Sequence, residues 1–322
     1  MGKRRIRNLK ELGENEIIGF DVQKDRCEDI GKKYSICTFT EIDSALNEKP
    51  DAMIISTPPD LHMKYAKIAL ENNIHFFTEA SVVLDEMLEV IQKLKTSNTK
   101  GIPSCTLRYH PIITTVQQLL ESKVIGKPLV VMYHSGQYLP DWHPWEDYRK
   151  FYVSKKETGA CREIVPFELI WMTKIFGRIN SVIGRKRKIT NLETDIDDIY
   201  SVLIEFENNI ECNLIVDVIS RYPYRQLKIL GEEGVIIADW SDRSVRYFSK
   251  DKTWNNVKID DGKIEENYVH GELSYVKEMS DFIKSIKGEI LQSYTFEDDY
   301  KILNILNAIE RSSDTGIKQS IN

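Results

Sequence analysis

Residues 51–80, DAMIISTPPDLHMKYAKIALENNIHFFTEA, constrain the fold of this chain more than any other segment. Ala52–Ile55 and Ile74–Phe77 are short apolar runs, typical of strands buried on both faces of a parallel sheet. Pro58 and Pro59 end the first run, because proline cannot continue a strand ladder. Between the runs, apolar residues recur at the spacing of a helix. The segment therefore predicts a β-α-β unit.

In open parallel sheets, ligands bind beyond the carboxyl ends of the strands. The two strands of this unit end at Ser56-Thr57 and at Thr78-Glu79, so we expect chemistry at these two places. Strand-like and helix-like segments continue to alternate as far as residue 109, which is the pattern of a doubly wound sheet.

The first twenty residues resemble part of a dinucleotide site. Residues 2–12 read as a helix, and the strand that follows ends in an acid, Asp21. Such an acid, about 20 residues after a phosphate-binding loop, bonds the adenosine ribose and favours NAD over NADP. Asp21 lies 19 positions after Gly2, which fits this spacing; the alternative is a surface Asp in a turn. Lys3 and Arg4 are placed to meet cofactor phosphate or solvent.

A complete dinucleotide domain opens with a strand and a full G-x-G-x-x-G loop. Here only the last glycine of such a loop, Gly2, and its helix are recognisable. Either the start was assigned to an internal Met, or the domain lacks its central strand. We favour the first explanation, because losing a central strand exposes two strand edges. For the chain as written we expect weak NAD binding.

Composition narrows the classes of function. A length of 322 residues predicts two domains, and an apolar content of 41% is enough for two cores. A net charge of −6 gives no general attraction to nucleic acid or anionic membranes. The five cysteines are scattered and show no metal-binding spacing, so we expect free thiols, a cytoplasmic location and no metal. No apolar run is long enough for a membrane span.

The segment STPPDLHMKYAKIALENNIHFFTEA, followed about 30 residues later by LRYHP, resembles the Gfo/Idh/MocA family of NAD(P)-dependent sugar oxidoreductases. The resemblance implies a Rossmann domain, assigned to residues 1–109, and an α+β domain with a large open mixed sheet, assigned to residues 110–322. It also implies a small-molecule sugar substrate and a homo-oligomer, either a dimer or a tetramer. The cofactor contacts that follow from it and from the reasoning above are Gly2, Lys3, Arg4, Asp21, Ser56, Thr57, Pro58, Pro59, His62, Glu79 and Arg108.

The chain departs from the family at the residues that move protons. In the family a Glu-Lys-Pro follows the second strand, and the Lys usually handles the proton. This chain reads Glu79-Ala80-Ser81, and an alanine neither donates nor accepts a proton. A later family helix opens with a glycine run, which Gly159-Ala160 resembles, and then carries Asp and His side chains. Neither the His nor the second Asp is matched, since Phe167 and Ile170 lie where they would be expected. Glu163 is therefore the first candidate for the acid/base group, ahead of His143 and Glu168. Glu163 and Glu168 would diverge on a regular helix, but Pro166 is expected to disturb the turn and let both face the cleft. Glu168 has the alternative of a solvated helix face.

Substrate contacts are expected mainly in the second domain. Residues 136–149 combine aromatic rings, a His, an Arg and acids, a mixture that is costly to bury without a partner. A second cluster of Arg and Tyr lies at residues 221–225, where an ion pair with Asp217 is the alternative. The candidate substrate residues are Tyr138, Trp142, His143, Asp147, Arg149, Arg162, Arg221 and Arg225.

Two functions remain open from the sequence. The first is an NAD-dependent oxidoreductase that acts on a sugar, a sugar acid or a nucleotide-linked sugar by hydride transfer. The second is a degenerate family member that binds a sugar or nucleotide without turnover, which the replacement of the family Lys by Ala80 favours.

Overall fold

The computed structural model describes residues 1–142, 146–265 and 271–321, and it divides into two compact units. The first unit comprises residues 1–80, 85–104 and 275–297. The second comprises residues 81–84, 105–274 and 298–322. The single boundary expected at residue 109 differs from this division, because the chain returns to the first unit near its end.

The elements up to residue 103 alternate as expected: α1 Gly2–Glu11, β1 Ile18–Phe20, α2 Lys24–Tyr34, β2 Cys37–Phe39, α3 Ile42–Leu46, β3 Ala52–Ile55, α4 His62–Glu71, β4 His75–Thr78, α5 Met87–Thr96 and β5 Gly101–Pro103. From residue 111 they are α6 Pro111–Glu121, β6 Pro128–Tyr138, α7 Leu139–Trp142, α8 Cys161–Phe176, β7 Ile179–Arg187, β8 Ile199–Phe206, β9 Glu211–Asp217, β10 Ile219–Gly231, β11 Val235–Asp239, β12 Ser244–Phe248, β13 Trp254–Lys258, α9 Leu273–Ile286, α10 Phe296–Thr315 and β14 Gln319–Ser320.

The first unit contains parallel strands only, in two separate sheets. One sheet pairs β1 with β2, and the other has the order β3-β4-β5. No strand among the described residues joins the two sheets. Helix–strand alternation with parallel pairing is the Rossmann-type architecture that the sequence predicts.

Helix α9 explains why the late segment belongs to the first unit. Its residues Met279 and Phe282 form a buried cluster with Phe77 of β4, and the rings of Phe77 and Phe282 are 5.7 Å apart. Burying aromatic and sulfur-containing side chains against an apolar strand stabilises the contact. The amphipathic pattern of this helix was visible in the sequence, but the sheet that it covers was not.

The second unit is built on one mixed sheet of nine strands, in the order β13-β12-β11-β10-β6-β9-β8-β7-β14. Neighbouring strands pair antiparallel, except that β6 and β9 are parallel. Helix α8 packs on β8 and β9, and α6 packs on β11 and β12. The large mixed sheet confirms the predicted fold of this half of the chain.

The start of α8 is tightly constrained. A Cβ atom added at Gly159 would lie 2.0 Å from the carbonyl oxygen of Val153, so only glycine fits there. Ala160 has a φ of 54°, a region that favours glycine. The helix then runs without interruption through Pro166. The expectation that Pro166 would distort the helix and turn Glu163 and Glu168 to the same side is therefore wrong.

Candidate functional site

The strands β3 and β4 end side by side in the first unit. Their parallel register places Ile55 opposite Thr78, so Thr57 and Glu79 follow the strands at the same edge. This is the edge where the sequence predicts chemistry, because ligands of doubly wound sheets bind beyond the carboxyl ends of the strands.

Glu79 at this edge is held by a buried arginine. Arg5 donates from Nε and Nη2 to the two carboxylate oxygens of Glu79, both at 2.8 Å. Ser56 donates to Glu79 at 3.0 Å, and Arg5 also pairs with Glu278 of α9 at 2.9 Å. Burial is the largest single influence and would raise the pKa of Glu79, but the charge and hydrogen bonds of Arg5, the charge of the N-terminus and the Ser56 hydrogen bond together lower it. Glu79 is therefore a fixed, ionised carboxylate.

Three buried polar atoms at the same edge have no hydrogen-bond partner among the described residues. They are Oγ1 of Thr57, Oγ1 of Thr78 and Nδ1 of His62. The other ring nitrogen of His62 donates to the Thr57 carbonyl at 3.0 Å, and burial lowers the pKa of His62, so the ring is neutral. Because buried polar groups are almost always paired, these atoms mark a place for a ligand with polar groups.

Helix α1 contains three predicted cofactor contacts, Gly2, Lys3 and Arg4. Gly2 lies against Ser56, since a Cβ atom added at Gly2 would be 3.9 Å from the Ser56 Cβ. This places a helix N-terminus, a favourable site for an anion, beside the strand edge. Lys3 pairs with Asp29 at the surface, and Arg4 is buried over the ring of Tyr275 at 4.0 Å. The expected phosphate contacts of Lys3 and Arg4 are not visible in these pairings and stay predictions.

Asp21 directly follows β1, as a ribose-binding acid should. Its Oδ1 accepts from the backbone N–H of Gln23 at 2.9 Å, and its side chain is 28% exposed. One carboxylate oxygen is thus fixed in a local turn, while the side chain still reaches solvent. Ribose binding by Asp21 stays a prediction.

In the second unit, Glu163 lies in the first turn of α8. Tyr152 donates a hydrogen bond to Glu163 Oε1 at 3.1 Å. Oε2 is buried and has no hydrogen-bond partner among the described residues. Burial raises the pKa of Glu163 to about 8, although the Tyr152 hydrogen bond acts against this shift. A carboxyl group with a pKa near neutrality can both accept and release a proton under working conditions.

Glu168 is instead fully buried, and both of its carboxylate oxygens accept hydrogen bonds from neighbouring side chains. Arg225 donates to Oε1 at 2.9 Å, and Tyr133 and Trp171 each donate to Oε2 at 2.8 Å. The alternative of a solvated helix face is therefore wrong. These partners also leave Glu168 better suited to anchoring α8 on the sheet than to exchanging protons.

Two further expected ligand residues are engaged with the chain itself. Arg162 donates from Nη1 to the carbonyls of Val82 and Glu157, both at 2.7 Å, and from Nε to Glu310 at 2.9 Å. Arg108 donates from Nε to the carbonyl of Ile170 at 3.0 Å. Both cations are thus engaged by groups of the chain itself, and their expected ligand contacts stay predictions.

The expected substrate loop is partly described. His143 lies outside the described residues, whereas Trp142 ends α7. Arg149 forms a two-point ion pair with Asp147, at 2.8 and 2.9 Å, and also pairs with Glu193 at 2.7 Å. Arg149 and Asp147 of this loop therefore have ion-pair partners within the chain. The sequence alone did not reveal this explanation for the charged residues.

The second expected cluster divides between two partners. Arg221 stacks on the ring of Tyr138 at 3.7 Å, whereas Arg225 binds Glu168. Asp217, which was considered as an ion-pair partner for one of these arginines, pairs with His134 at 2.6 Å.

Sequence reasoning missed two residues that organise these sites. Arg5 gave no signal, because its partners Glu79 and Glu278 lie far from it along the chain. Tyr152 gave no signal, since a single Tyr in a loop has no motif. Within the described residues, no three His, Cys, Asp or Glu side chains group as a metal site, and no helix is long and apolar enough to cross a membrane.

Comparison with protein families matches both halves of the chain. Residues 1–100 match an oxidoreductase family with an NAD-binding Rossmann fold. Residues 113–237 match the GFO/IDH/MocA C-terminal domain. A curated relative, oxidoreductase P35 of Formosa agariphila, is 29% identical over 107 residues, which are 32% of this chain and 33% of that protein. The chain thus matches about a third of that relative's length.

Solved structures share the whole fold at low identity. A levoglucosan dehydrogenase in complex with NADH and L-sorbose is 16% identical, with a TM-score of 0.86 over 100% of this chain and 96% of its own. An oxidoreductase of Agrobacterium radiobacter, in complex with NAD+, L-tartaric acid and magnesium, is 14% identical, with a TM-score of 0.86 over 99% and 95%. At such identities the likeness establishes the fold.

Proposed function

Since this chain belongs to the Gfo/Idh/MocA family of oxidoreductases, we propose that it is an NAD-dependent oxidoreductase acting on a sugar or sugar acid. The observation that carries the proposal is Glu163, a carboxyl group with a pKa near 8 at the start of α8. The similar fold of a levoglucosan dehydrogenase that binds NADH supports a carbohydrate substrate. A nucleotide-linked sugar remains within the proposed class.

The residues of the first unit fit a dinucleotide. The helix N-terminus at Gly2 suits the pyrophosphate, and Asp21 suits the ribose hydroxyls. The carboxylate of Asp21 would repel the extra phosphate of NADP, so NAD is the favoured cofactor. The unpartnered hydroxyls of Thr57 and Thr78 suit polar groups of the nicotinamide end. His62 fixes the Thr57 carbonyl, and Pro58 and Pro59 fix the turn between them.

The proton of the reaction is assigned to Glu163. Bound NAD supplies the acceptor for a hydride, the hydrogen and electron pair that leave a carbon of the sugar. A sugar hydroxyl that is oxidised to a carbonyl must lose its proton, and the Glu163 carboxylate would accept it. In the reverse direction Glu163 returns the proton. This role replaces the family Lys, whose position holds Ala80.

The second candidate function is a sugar-binding protein without turnover. The observation that favours it is Ala80, since the usual proton-transferring group is absent from that position. The two candidates differ in a simple way: both bind a sugar, but only the first reduces NAD.

The test follows the absorbance of reduced nicotinamide with NAD and a panel that includes levoglucosan, L-sorbose and L-tartaric acid. We expect turnover by the natural chain and a fall in kcat of roughly 100- to 10,000-fold in Glu163→Gln, because general acid–base groups contribute about this much. The matched control is Glu157→Gln, which changes an exposed carboxylate just before α8 and should keep full activity. Binding of a sugar without any NAD reduction would favour the second candidate, and full activity of Glu163→Gln would remove Glu163 from its role.

A further inference from the structure

Three charged side chains of the first unit form one network: Arg5 on α1, Glu79 after β4 and Glu278 on α9. Arg5 Nη2 is shared between the two acids, since it lies 2.8 Å from Glu79 Oε2 and 2.9 Å from Glu278 Oε2. The side chains of Arg5 and Glu278 are 2% and 3% exposed, whereas that of Glu79 is 13% exposed. Glu79 is therefore the member of the network that reaches the surface.

The guanidinium of Arg5 is held by aromatic rings as well as by the two acids. It lies 4.6 Å from the ring centre of Phe77 and 5.4 Å from that of Tyr275. Burial is the largest influence on Arg5 and would lower its pKa, but the charges of Glu79 and Glu278 raise the pKa above its ordinary value. The two carboxylates together thus keep a buried cation charged, and removing either one leaves its desolvation less compensated.

Glu278 connects this network to a packed part of the first unit. Its Oε1 accepts a buried hydrogen bond from the hydroxyl of Ser104 at 3.0 Å, and α9 packs on β4. A side chain that is fixed in this way fixes its own partners. Glu278 therefore holds Arg5 in one orientation, and Arg5 in turn holds Glu79.

The carboxylate of Glu79 keeps room for one more donor. Its Oε1 accepts from Arg5 Nε at 2.8 Å and from Ser56 at 3.0 Å, and its Oε2 accepts from Arg5 Nη2 at 2.8 Å. A carboxylate has about four acceptor positions, so about one is left, on Oε2. Hydrogen bonds to an ionised acceptor are among the stronger ones, so this position suits a polar group of a ligand.

We propose that Arg5 and Glu278 are positioning residues for the cofactor, because they hold the Glu79 carboxylate in place for the nicotinamide end of NAD. Thr57 and Thr78, which we assigned to that end, lie at the same edge as Glu79. The oxidised nicotinamide ring is positively charged and is attracted by an ionised carboxylate. This inference rests on the NAD binding of the proposed function and adds a helix from the far end of the chain to the parts that determine it.

The experiment is calorimetric titration of the full chain with NAD and with ADP-ribose, which lacks the nicotinamide ring. Glu278→Gln keeps the size of the side chain but removes its charge, and should weaken NAD binding about threefold. Arg5→Met should weaken it about tenfold and change ADP-ribose binding by less than about twofold. The double variant should bind NAD no more weakly than Arg5→Met alone, because Glu278 acts through Arg5.

The matched control is Lys287→Met. Lys287 forms an exposed ion pair with Glu14 at 3.3 Å, near the ends of α9 and α1. The control therefore removes a charge contact between the same two parts of the chain, but away from Glu79. It should leave the affinities for NAD and for ADP-ribose unchanged, because exposed ion pairs contribute little.

A pH profile separates positioning from general structural support. The charged or titratable groups around Glu79 are Arg5 and the N-terminus, Glu278 and Tyr275 of α9, and His62, which is neutral. In Arg5→Met, burial of Glu79 is no longer opposed by Arg5, so the pKa of Glu79 should rise. The NAD affinity of Arg5→Met, relative to the natural chain, should therefore fall as pH is lowered from 9 to 5. Adding Glu79→Gln to Arg5→Met should remove this dependence.

Equal weakening of NAD and ADP-ribose binding by Arg5→Met or Glu278→Gln would overturn the proposal. An unchanged NAD affinity in Glu278→Gln, or a relative affinity of Arg5→Met that does not vary with pH, would do the same. Unfolding midpoints show whether each variant is folded, and Glu278→Gln alone decides if Arg5→Met does not fold. A natural chain that binds no NAD would overturn this inference together with the proposed function. NAD binding without sugar oxidation would refute only the proposed enzyme.

Discussion

The side chain of Glu163 links the structure to a measurable pH dependence. Its pKa is raised to about 8 because it is buried, and it must be ionised to accept a hydroxyl proton. We expect kcat/KM for sugar oxidation to rise with pH and to level off above about 8. Tyr152→Phe removes a hydrogen bond that lowers this pKa, so its profile should shift to higher pH. The measurement is kcat/KM across pH 5 to 10 for both proteins.

The stability of the protein gives an independent check on the same group. A carboxyl whose pKa is raised on folding stabilises the protein most below its ordinary pKa of 4.5, and this contribution is lost as pH rises through about 8. The free energy of unfolding of Glu163→Gln should therefore exceed that of the natural chain by about 4 kcal/mol at pH 8, and should differ little near pH 4. An equal difference at both pH values would contradict the raised pKa.

Some residues of the candidate site could be predicted from the sequence, and others could not. Residues 51–80 correctly predicted that Thr57 and Glu79 lie at the same edge of a sheet, because the ends of the two strands can be read from the local pattern of apolar residues. It could not predict that Arg5 holds Glu79, since their spatial proximity depends on the fold. Tyr152 carried no motif, and only the fold shows that it donates a hydrogen bond to Glu163.

At the scale of elements, the start of α8 makes a testable contrast between adjacent residues. Gly159→Ala places a methyl group against the Val153 carbonyl, and should lower the free energy of unfolding by about 1–3 kcal/mol. It should also lower turnover, because this turn positions Glu163. Ala160→Gly relieves a φ of 54° and should raise the free energy of unfolding by about 1 kcal/mol. Guanidinium unfolding curves for the two variants measure both effects.

If the two variants change the free energy of unfolding in opposite directions, the loop is not simply destabilised by any substitution. Equal destabilisation by both variants would show that the backbone here is not strained at Ala160. The resemblance to the glycine run of the family located this turn correctly, but the sequence did not show which position requires glycine. Likewise, Pro166 suggested a disturbed helix, whereas burial of Ile164, Val165 and Leu169 around it holds the helix together.

At the scale of the whole molecule, the order of domains along the chain was predictable and their composition was not. Alternating strands and helices predicted the first unit, and the resemblance to the family implied the mixed sheet of the second. The return of residues 275–297 to the first unit depends on the packing of α9 on β4. The amphipathic pattern of α9 predicts that one of its faces is buried, but it does not identify the strand on which that face packs. Patterns of burial in a sequence show that a face is covered, but they do not show by what.

The sheet of the second unit leads to a prediction about assembly. Strand β8 alternates buried residues with more accessible ones, because helices such as α8 cover one face of the sheet. On the other face, the cross-strand partners Ile183 and Leu203 are 44% and 48% exposed. Adjacent apolar side chains left in water mark association surfaces. We therefore expect a homo-oligomer that buries this face.

Light scattering coupled to size-exclusion chromatography measures the mass directly. The natural chain should have at least twice the mass of one polypeptide, and Leu203→Lys should shift it toward the monomer, since a charge at the centre of an apolar contact must be desolvated without a partner. Leu291→Lys is the matched control, because Leu291 is 93% exposed in the loop between α9 and α10 and belongs to the first unit. A monomeric natural chain at every concentration, or an equal shift in both variants, would show that this sheet face is not the interface.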